Sequence, residues 1–184
     1  MWILLYYMHN ELNKKMPSPS TQKINLNWFD AIVSAPFGGV GVRLSDDKMY
    51  VSELLYLPAD LLDNVGDSDL SKRAHAQITA YLKHPSSGFD LPLLDQGTDF
   101  QKRVWQAISL IECGQVLSYK QVGQIIRCGS PRAVGGACGA NPYPLITPCH
   151  RVVAAQSIGG FARHDNGFHV GVKQWLLAHE GVVY

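Results

Sequence analysis

The stretch Leu145-Ile146-Thr147-Pro148-Cys149-His150-Arg151-Val152-Val153 sets a thiol between a ring-locked proline and an imidazole. Pro148 holds its own φ at about −65° and drives Thr147 toward extended geometry. A thiol on so stiff a turn is a nucleophile if its pKa is lowered, because the thiolate is the attacking form. The same tripeptide also reads as a buried cysteine packed as a small hydrophobe beside a hydrogen-bonded histidine. Cys113, Cys128 and Cys138 form no C-x-x-C pair with each other or with Cys149. The spacing therefore signals neither a zinc knuckle nor a thioredoxin-like redox pair. A free Cys149 suits a reducing compartment, and the expected location is cytoplasmic. His75 and His84 have no cysteine near them and read as solvated surface histidines.

The elements that would position this turn follow from length and pattern. The chain has 184 residues, 46% hydrophobic and 17% charged, enough for a real core in one domain or in a small one plus a larger one. A net charge of +1 advertises no nucleic acid globally, so any such contact must come from a local patch. Met1 to Met8 is apolar but too short to span a bilayer. It lacks the basic start and small-residue cleavage site of a signal peptide. Pro17-Ser18-Pro19-Ser20 reads as a linker, so residues 1–22 form an N-terminal extension.

Trp28 to Ala35, Val40 to Leu44 and Met49 to Leu57 read as three strands of a small antiparallel sheet, the first two joined by Pro36-Phe37-Gly38-Gly39. Ser68 caps a helix with Leu70, Ala74, Ile78, Tyr81 and Leu82 at helical spacing, ended by Pro85. The Pro/Gly/Asp-rich stretch Ser86 to Gly97 is the boundary between an α/β domain, residues 23–97, and a second domain, residues 98–184. The fold class is α+β.

Thr98-x-x-Gln101 and Ser118-x-x-Gln121 are capping boxes. The first opens a helix striped by Phe100, Val104, Ala107, Ile108 and Ile111 and ended by Gly114. The second buries Val122, Ile125 and Ile126. Gly129 turns the chain, and Ser130-Pro131 caps a third helix to about Gly139, completing a helix-turn-helix pattern. Ala133, Gly135, Gly136, Ala137 and Gly139 leave that helix almost bare, at up to about 1 kcal/mol per glycine. Either another helix packs closely there, or the backbone approaches a large flat partner such as a nucleic-acid groove, with Arg132 aimed at it. Gly159-Gly160-Phe161 is a turn, Arg163 to Gly171 a polar loop, and Lys173 to Glu180 a final helix stopped by Gly181.

Five strings occur in order between Ser118 and Gly181: Ser118-Tyr119, Arg132-Ala133-Val134-Gly135-Gly136, Gly139-Ala140-Asn141-Pro142, Pro148 to Val153, and Lys173 to Gly181. On these, Thr98 to Gly181 resembles the O6-alkylguanine-DNA alkyltransferases, suicidal DNA repair proteins. Residues 23–97 are similar only in layout. The resemblance implies irreversible, single-turnover transfer of an alkyl group from O6 of guanine, and possibly O4 of thymine, to Cys149. His150 would act through a water as base, oriented by Glu180, and the two would lower the Cys149 pKa. Tyr119 would donate a proton near O6. Asn141 would tie the third-helix turn to the active-site turn. Arg132 would take the flipped base's place in the duplex, with Ala133, Gly135 and Gly136 facing the minor groove. Val152, Phe161 and Ala162 would line the base pocket. The implied partner is double-stranded DNA carrying O6-alkylguanine, approached by a monomer. No cofactor, metal or membrane is implied.

The chain departs from the family in the substrate loop. Ala162 stands where serine is common, and Arg163 to Gly171 replaces a Gly-Gly pair. The segment is longer by roughly five residues, which loops tolerate. Three other functions compete. A non-catalytic lesion binder would carry tryptophan at position 149. A helix-turn-helix regulator would need polar base-reading side chains on the third helix, which has glycine and alanine. A cysteine hydrolase would turn over many times.

Overall fold

The structure is a computed structural model that describes residues 25–58, 61–162, 164 and 166–183. The expected extension, residues 1–22, and its Pro17 to Ser20 linker lie outside the described residues. The architecture is α+β. Strands β1 (Ala31–Ala35), β2 (Gly38–Leu44) and β3 (Val51–Leu57) form an antiparallel sheet in the order β1-β2-β3. Ala35 pairs with Gly38, so the first hairpin turns on Pro36 and Phe37 alone and Gly38 already belongs to the sheet. Residues 26–28 do not extend β1. The Asn25 side chain accepts from Asn27 N and winds Leu26–Trp28 into a 3-10 turn.

β2 is buried on both faces, which is why it lacks alternation. One face lies under helix α1 (Asp69–Lys83), whose Leu70, Ala74, Ile78 and Tyr81 enter the main core. On the other, Phe29 joins Ile32 and Leu57 in a small cluster. A Cβ on Gly41 would sit 2.4 Å from the Phe29 ring, so the ring can lie there only because Gly41 has none.

The sheet is joined to the rest of the chain along β3. Val51 N donates to Pro92 O at 2.8 Å, Leu94 N to Val51 O at 2.9 Å and Leu54 N to Pro142 O at 2.8 Å. These bonds satisfy what would be an open strand edge.

Three helices follow. Both capping boxes form fully, opening α2 (Asp99–Ser109) at Thr98 and α3 (Tyr119–Ile125) at Ser118. α4 (Pro131–Gly139) is capped by Ser130, whose hydroxyl accepts from Ala133 N at 3.2 Å. The Trp105 indole N–H of α2 donates to Ala137 O of α4 at 2.9 Å within the core, fixing α4 against α2. Leu117–Ser118 (β4) and Val152–Val153 (β5) pair in parallel and bring the start of α3 beside the Cys149 turn.

Four expectations are corrected. α2 ends at Ser109 rather than Gly114, through the Leu110 N–H, which bonds back to Ala107 and Ile108. Ile125 is 58% exposed instead of buried, because α3 ends there and its inner face is Val122 and Gly123. The reversal between α3 and α4 uses Arg127, at φ 56°, instead of Gly129. The last helix, α5 (Phe168–His179), starts five residues before Lys173, so the polar loop closes at Gly167 (φ 76°).

Candidate active site

Pro148 sits at φ −80°, ψ 66°, and Cys149–Arg151 follow as one 3-10 turn running into β5. Ahead of it Leu145, 2% exposed, holds φ 77°, a left-handed backbone that a branched side chain seldom adopts. The turn is thus built under strain and held by its surroundings. Asn141, just past the end of α4, supplies much of that hold. Its amide donates to Thr147 O at 2.7 Å and to Cys149 Sγ at 3.3 Å, while its carbonyl accepts from Tyr143 N at 3.0 Å.

Behind the thiol lies a buried polar line. His150 Nε2 is 2.8 Å from Glu180 Oε1. The same carboxylate accepts from Tyr81 Oη at 2.6 Å, Arg151 Nη2 at 2.9 Å and, at its other oxygen, Arg151 Nε at 2.9 Å. Burial pushes the Glu180 carboxyl up, but the bonds from His150, Arg151 and Tyr81 outweigh it and hold the group well below the ordinary carboxylate range. Glu180 is therefore an anion, and the Nε2 it faces carries the proton. His150 Nδ1 is left as the basic nitrogen, buried and without a hydrogen-bond partner. Burial lowers the His150 pKa more than Glu180 raises it, so the ring is neutral.

The expected thiol pKa, lowered by His150 and Glu180, is corrected in direction and in cause. Cys149 is 6% exposed, and burial pushes its thiol up. The groups that favour the thiolate are the Asn141 amide, the Lys173 ammonium and the backbone N–H groups of Cys149 and His150. A neutral His150 contributes no charge. Lys173 on α5 is fully buried, and its Nζ donates to Val152 O at 2.6 Å and Gly160 O at 3.2 Å. Burial brings it down to about 8.

Cys149 opens into a cleft of about 530 Å3 between α4 and the residues Gly160, Phe161, Ala162 and His164. Tyr119, Arg132, Gly135, Gly136, Phe161 and Ala162 line it. Tyr119 Oη donates to Gly160 O at 3.2 Å, and Phe161 is 5% exposed. Arg132 and Ala133 are exposed on the outer side of α4. Gly136 has nothing within 4 Å of where its Cβ would be, and Gly135 has only the Tyr119 ring, at 3.7 Å. Val152 is fully buried below the cleft, with its carbonyl already taken by Lys173. Cys138 also lines the cleft, and burial pushes its thiol up to about 12.

Sequence reasoning gave no separate role to Lys173, Tyr81 or Arg151. Lys173 had a signal: a lysine flanked by Val172 and Leu176 on the inner stripe of a helix must bury its charge or find carbonyls. Tyr81 had a weaker one, a phenol at a core position of α1. Among the described residues no group of three or more His, Cys, Asp or Glu is placed to hold a metal ion. No helix among them is long and apolar enough to cross a membrane.

Fold and site together define an α+β protein in which a helix-turn-helix pair flanks a buried thiol, imidazole and carboxylate. Residues 99–182 match the family model described as the DNA-binding domain of 6-O-methylguanine DNA methyltransferase. The methylated-DNA--protein-cysteine methyltransferase of Methanosarcina barkeri is 36% identical over 158 residues, covering 81% of this chain and 94% of that protein. The relative of the same name in Salmonella typhimurium is 49% identical over 86 residues, covering 46% of this chain; the chain spans about half of its length, 48%. Among solved structures, Mycobacterium tuberculosis OGT in complex with DNA is similar with a TM-score of 0.66 and 30% identity, over 81% of this chain and 90% of that one. The chain belongs to the methylated-DNA--protein-cysteine methyltransferase family.

Proposed function

We propose that this chain repairs alkylated DNA by direct reversal, moving an alkyl group from O6 of guanine, and by the same chemistry from O4 of thymine, irreversibly onto Cys149. The observation that carries this reading is a Cys149 thiol held by the Asn141 amide and opening into a cleft that admits one base, with the buried His150–Glu180 pair starting from the next residue of the same turn. Small-ligand pockets run from about 300 to about 1,000 Å3, so the cleft admits a flipped nucleotide and excludes a stacked duplex.

In the reaction the Cys149 proton passes through a water to His150 Nδ1, and Glu180 stabilises the imidazolium that forms. The sulfur bonds to the alkyl carbon, the carbon–O6 bond breaks, and its electron pair leaves on the base. Tyr119 gives that base a proton and recovers one from His150 through solvent. Asn141 holds the thiol in line, Phe161 and Ala162 wall the pocket, and Val152 backs it. The thioether product has no leaving group, so each molecule acts once.

Duplex DNA is approached through the minor groove by the open face of α4, with Ala133, Gly135 and Gly136 allowing close backbone contact and Arg132 filling the space of the extruded base. In this reading residues 98–184 carry DNA binding and chemistry, residues 23–97 form the supporting α/β domain, and the chain works as a cytoplasmic monomer.

The test is intact-protein mass after incubation with a duplex containing O6-methylguanine, followed by peptide mapping. One methyl per protein, on Cys149, is expected, and none in Cys149→Ala. A methyl on Cys138, or several guanines restored per protein, would overturn the proposal.

A further inference from the structure

The mouth of the cleft is defined by lining residues that are also exposed: Pro131, Arg132 and Gly136 on α4, and His164 on the facing lip. A nucleotide that enters the cleft stays joined to its strand by a phosphate on either side, and those phosphates must stop at the mouth. There they meet whatever donors the rim provides. Arg132 fills the gap left in the duplex in the reading above, which leaves the facing lip to hold the backbone.

His164 is built firmly into that lip. Phe161 N donates to His164 O at 2.7 Å and His164 N donates to Phe161 O at 2.8 Å, closing a tight turn that carries Ala162 at φ 49°. Phe161 is buried, so the turn is anchored in the core. With its backbone groups bonded to Phe161, His164 offers the cleft its ring. That ring stacks on His169 of α5, with centroids 4.5 Å apart and planes 14° from parallel. Phe168 braces His169 edge-on at 5.2 Å. Burial, and then His164 beside it, hold His169 below the ordinary imidazole range, so the inner ring is a neutral support. An imidazole held by its face has its nitrogens at the edge, donating one N–H when neutral and two when protonated. A ring already held in place loses less freedom on binding than a loose surface side chain.

We propose that His164 donates a hydrogen bond to a phosphate next to the extruded nucleotide, so that the lip facing α4 grips the DNA backbone during repair. Phosphate contacts carry no sequence information and fix where the strand lies. α4 then parts the extruded base from its neighbours, and His164 keeps the extruded nucleotide from sliding back. This inference rests on the repair reading of the cleft.

His164→Phe keeps a flat ring to stack on His169 and has no N–H; His164→Ala removes both. For each full-length protein and the wild type, methyl transfer to Cys149 is followed by mass with O6-methylguanine duplexes below saturation. One duplex is unmodified, and in others the phosphate on one or the other side of the lesion is replaced by an uncharged methylphosphonate. On the unmodified duplex both variants should be roughly tenfold slower than the wild type, the loss expected for one hydrogen bond to a charged partner. One of the methylphosphonates should slow the wild type equally and slow the variants no further, because groups in contact are not additive. Wild-type speed in His164→Phe would make the ring a packing element only. Effects that multiply at both phosphates would mean that His164 touches neither. Either result overturns the proposal while the repair reading stands, whereas a wild type that takes no methyl overturns both.

Discussion

Glu180 collects one bond from Tyr81, one from His150 and two from Arg151 on two oxygens, so its charge is the fixed point of the site. A glutamate titrates at about 4.3 when unfolded, and here its folded value is lower. The stability it contributes is therefore complete above about pH 4.3 and is lost as pH falls toward the folded value. Glu180→Gln should lower stability at neutral pH by about 3–5 kcal/mol, as expected when one partner leaves a buried ion pair. Its urea midpoint should then decline less steeply in acid than that of the wild type; parallel curves would move the acid sensitivity to other carboxylates. Arg132 makes the opposite case, an exposed charge at the rim of the cleft. Arg132→Ala should slow methyl transfer in duplex DNA roughly tenfold by weakening base extrusion, and leave reaction with free O6-benzylguanine nearly unchanged. Equal slowing of both substrates would remove Arg132 from extrusion. Cys149, His150 and Asn141 stand out in sequence because they lie within ten residues of one another. Tyr81 bonds Glu180 from 99 residues away, and no local pattern carries that pairing.

At the scale of elements, what was legible was what is decided locally. The capping boxes at Thr98 and Ser118 and the Ser130-Pro131 start gave α2, α3 and α4 their first residues, because each signal lies within four residues of the hydrogen bonds it makes. The start of α5 was not legible. Gly167 offers no side-chain cap, and Gly171 within the first turns disguises the helix as loop. The 3-10 turn before β1 was hidden by its aromatic content, since Trp28 favours a strand and only the Asn25 side chain decides otherwise. α4 yields a prediction in two parts. A methyl at position 136 meets nothing, so Gly136→Ala should stabilise the protein by up to about 1 kcal/mol through helix propensity. The same methyl stands on the face assigned to the minor groove and should weaken duplex binding. Thermal melts and a fluorescence-anisotropy titration read the two halves, and unchanged affinity would free that face from DNA contact.

Across the whole molecule, the two halves are laced together by more than packing. The β3 edge bonds to Pro92 and Pro142, Gln96 bridges Ser52 O and the Tyr143 hydroxyl, and His179 bonds to Tyr81 O. Unfolding should therefore be a single event, with far-UV circular dichroism and tryptophan fluorescence giving the same urea midpoint. Tyr81→Phe removes one bond to a charged partner across this junction. It should shift both probes together by about 1.5–3 kcal/mol and slow methyl transfer as Glu180 loses a donor. Two separated transitions would mean that the sheet and the catalytic half melt independently.

The unfilled side of α4 has a consequence for anyone who breeds this protein. A library screened only for survival of heating would collect alanines at positions such as 136, since no described residue lies within 4 Å to resist them. The winners would be hardier and worse at seizing a duplex, so a screen for this protein has to include DNA from its first round.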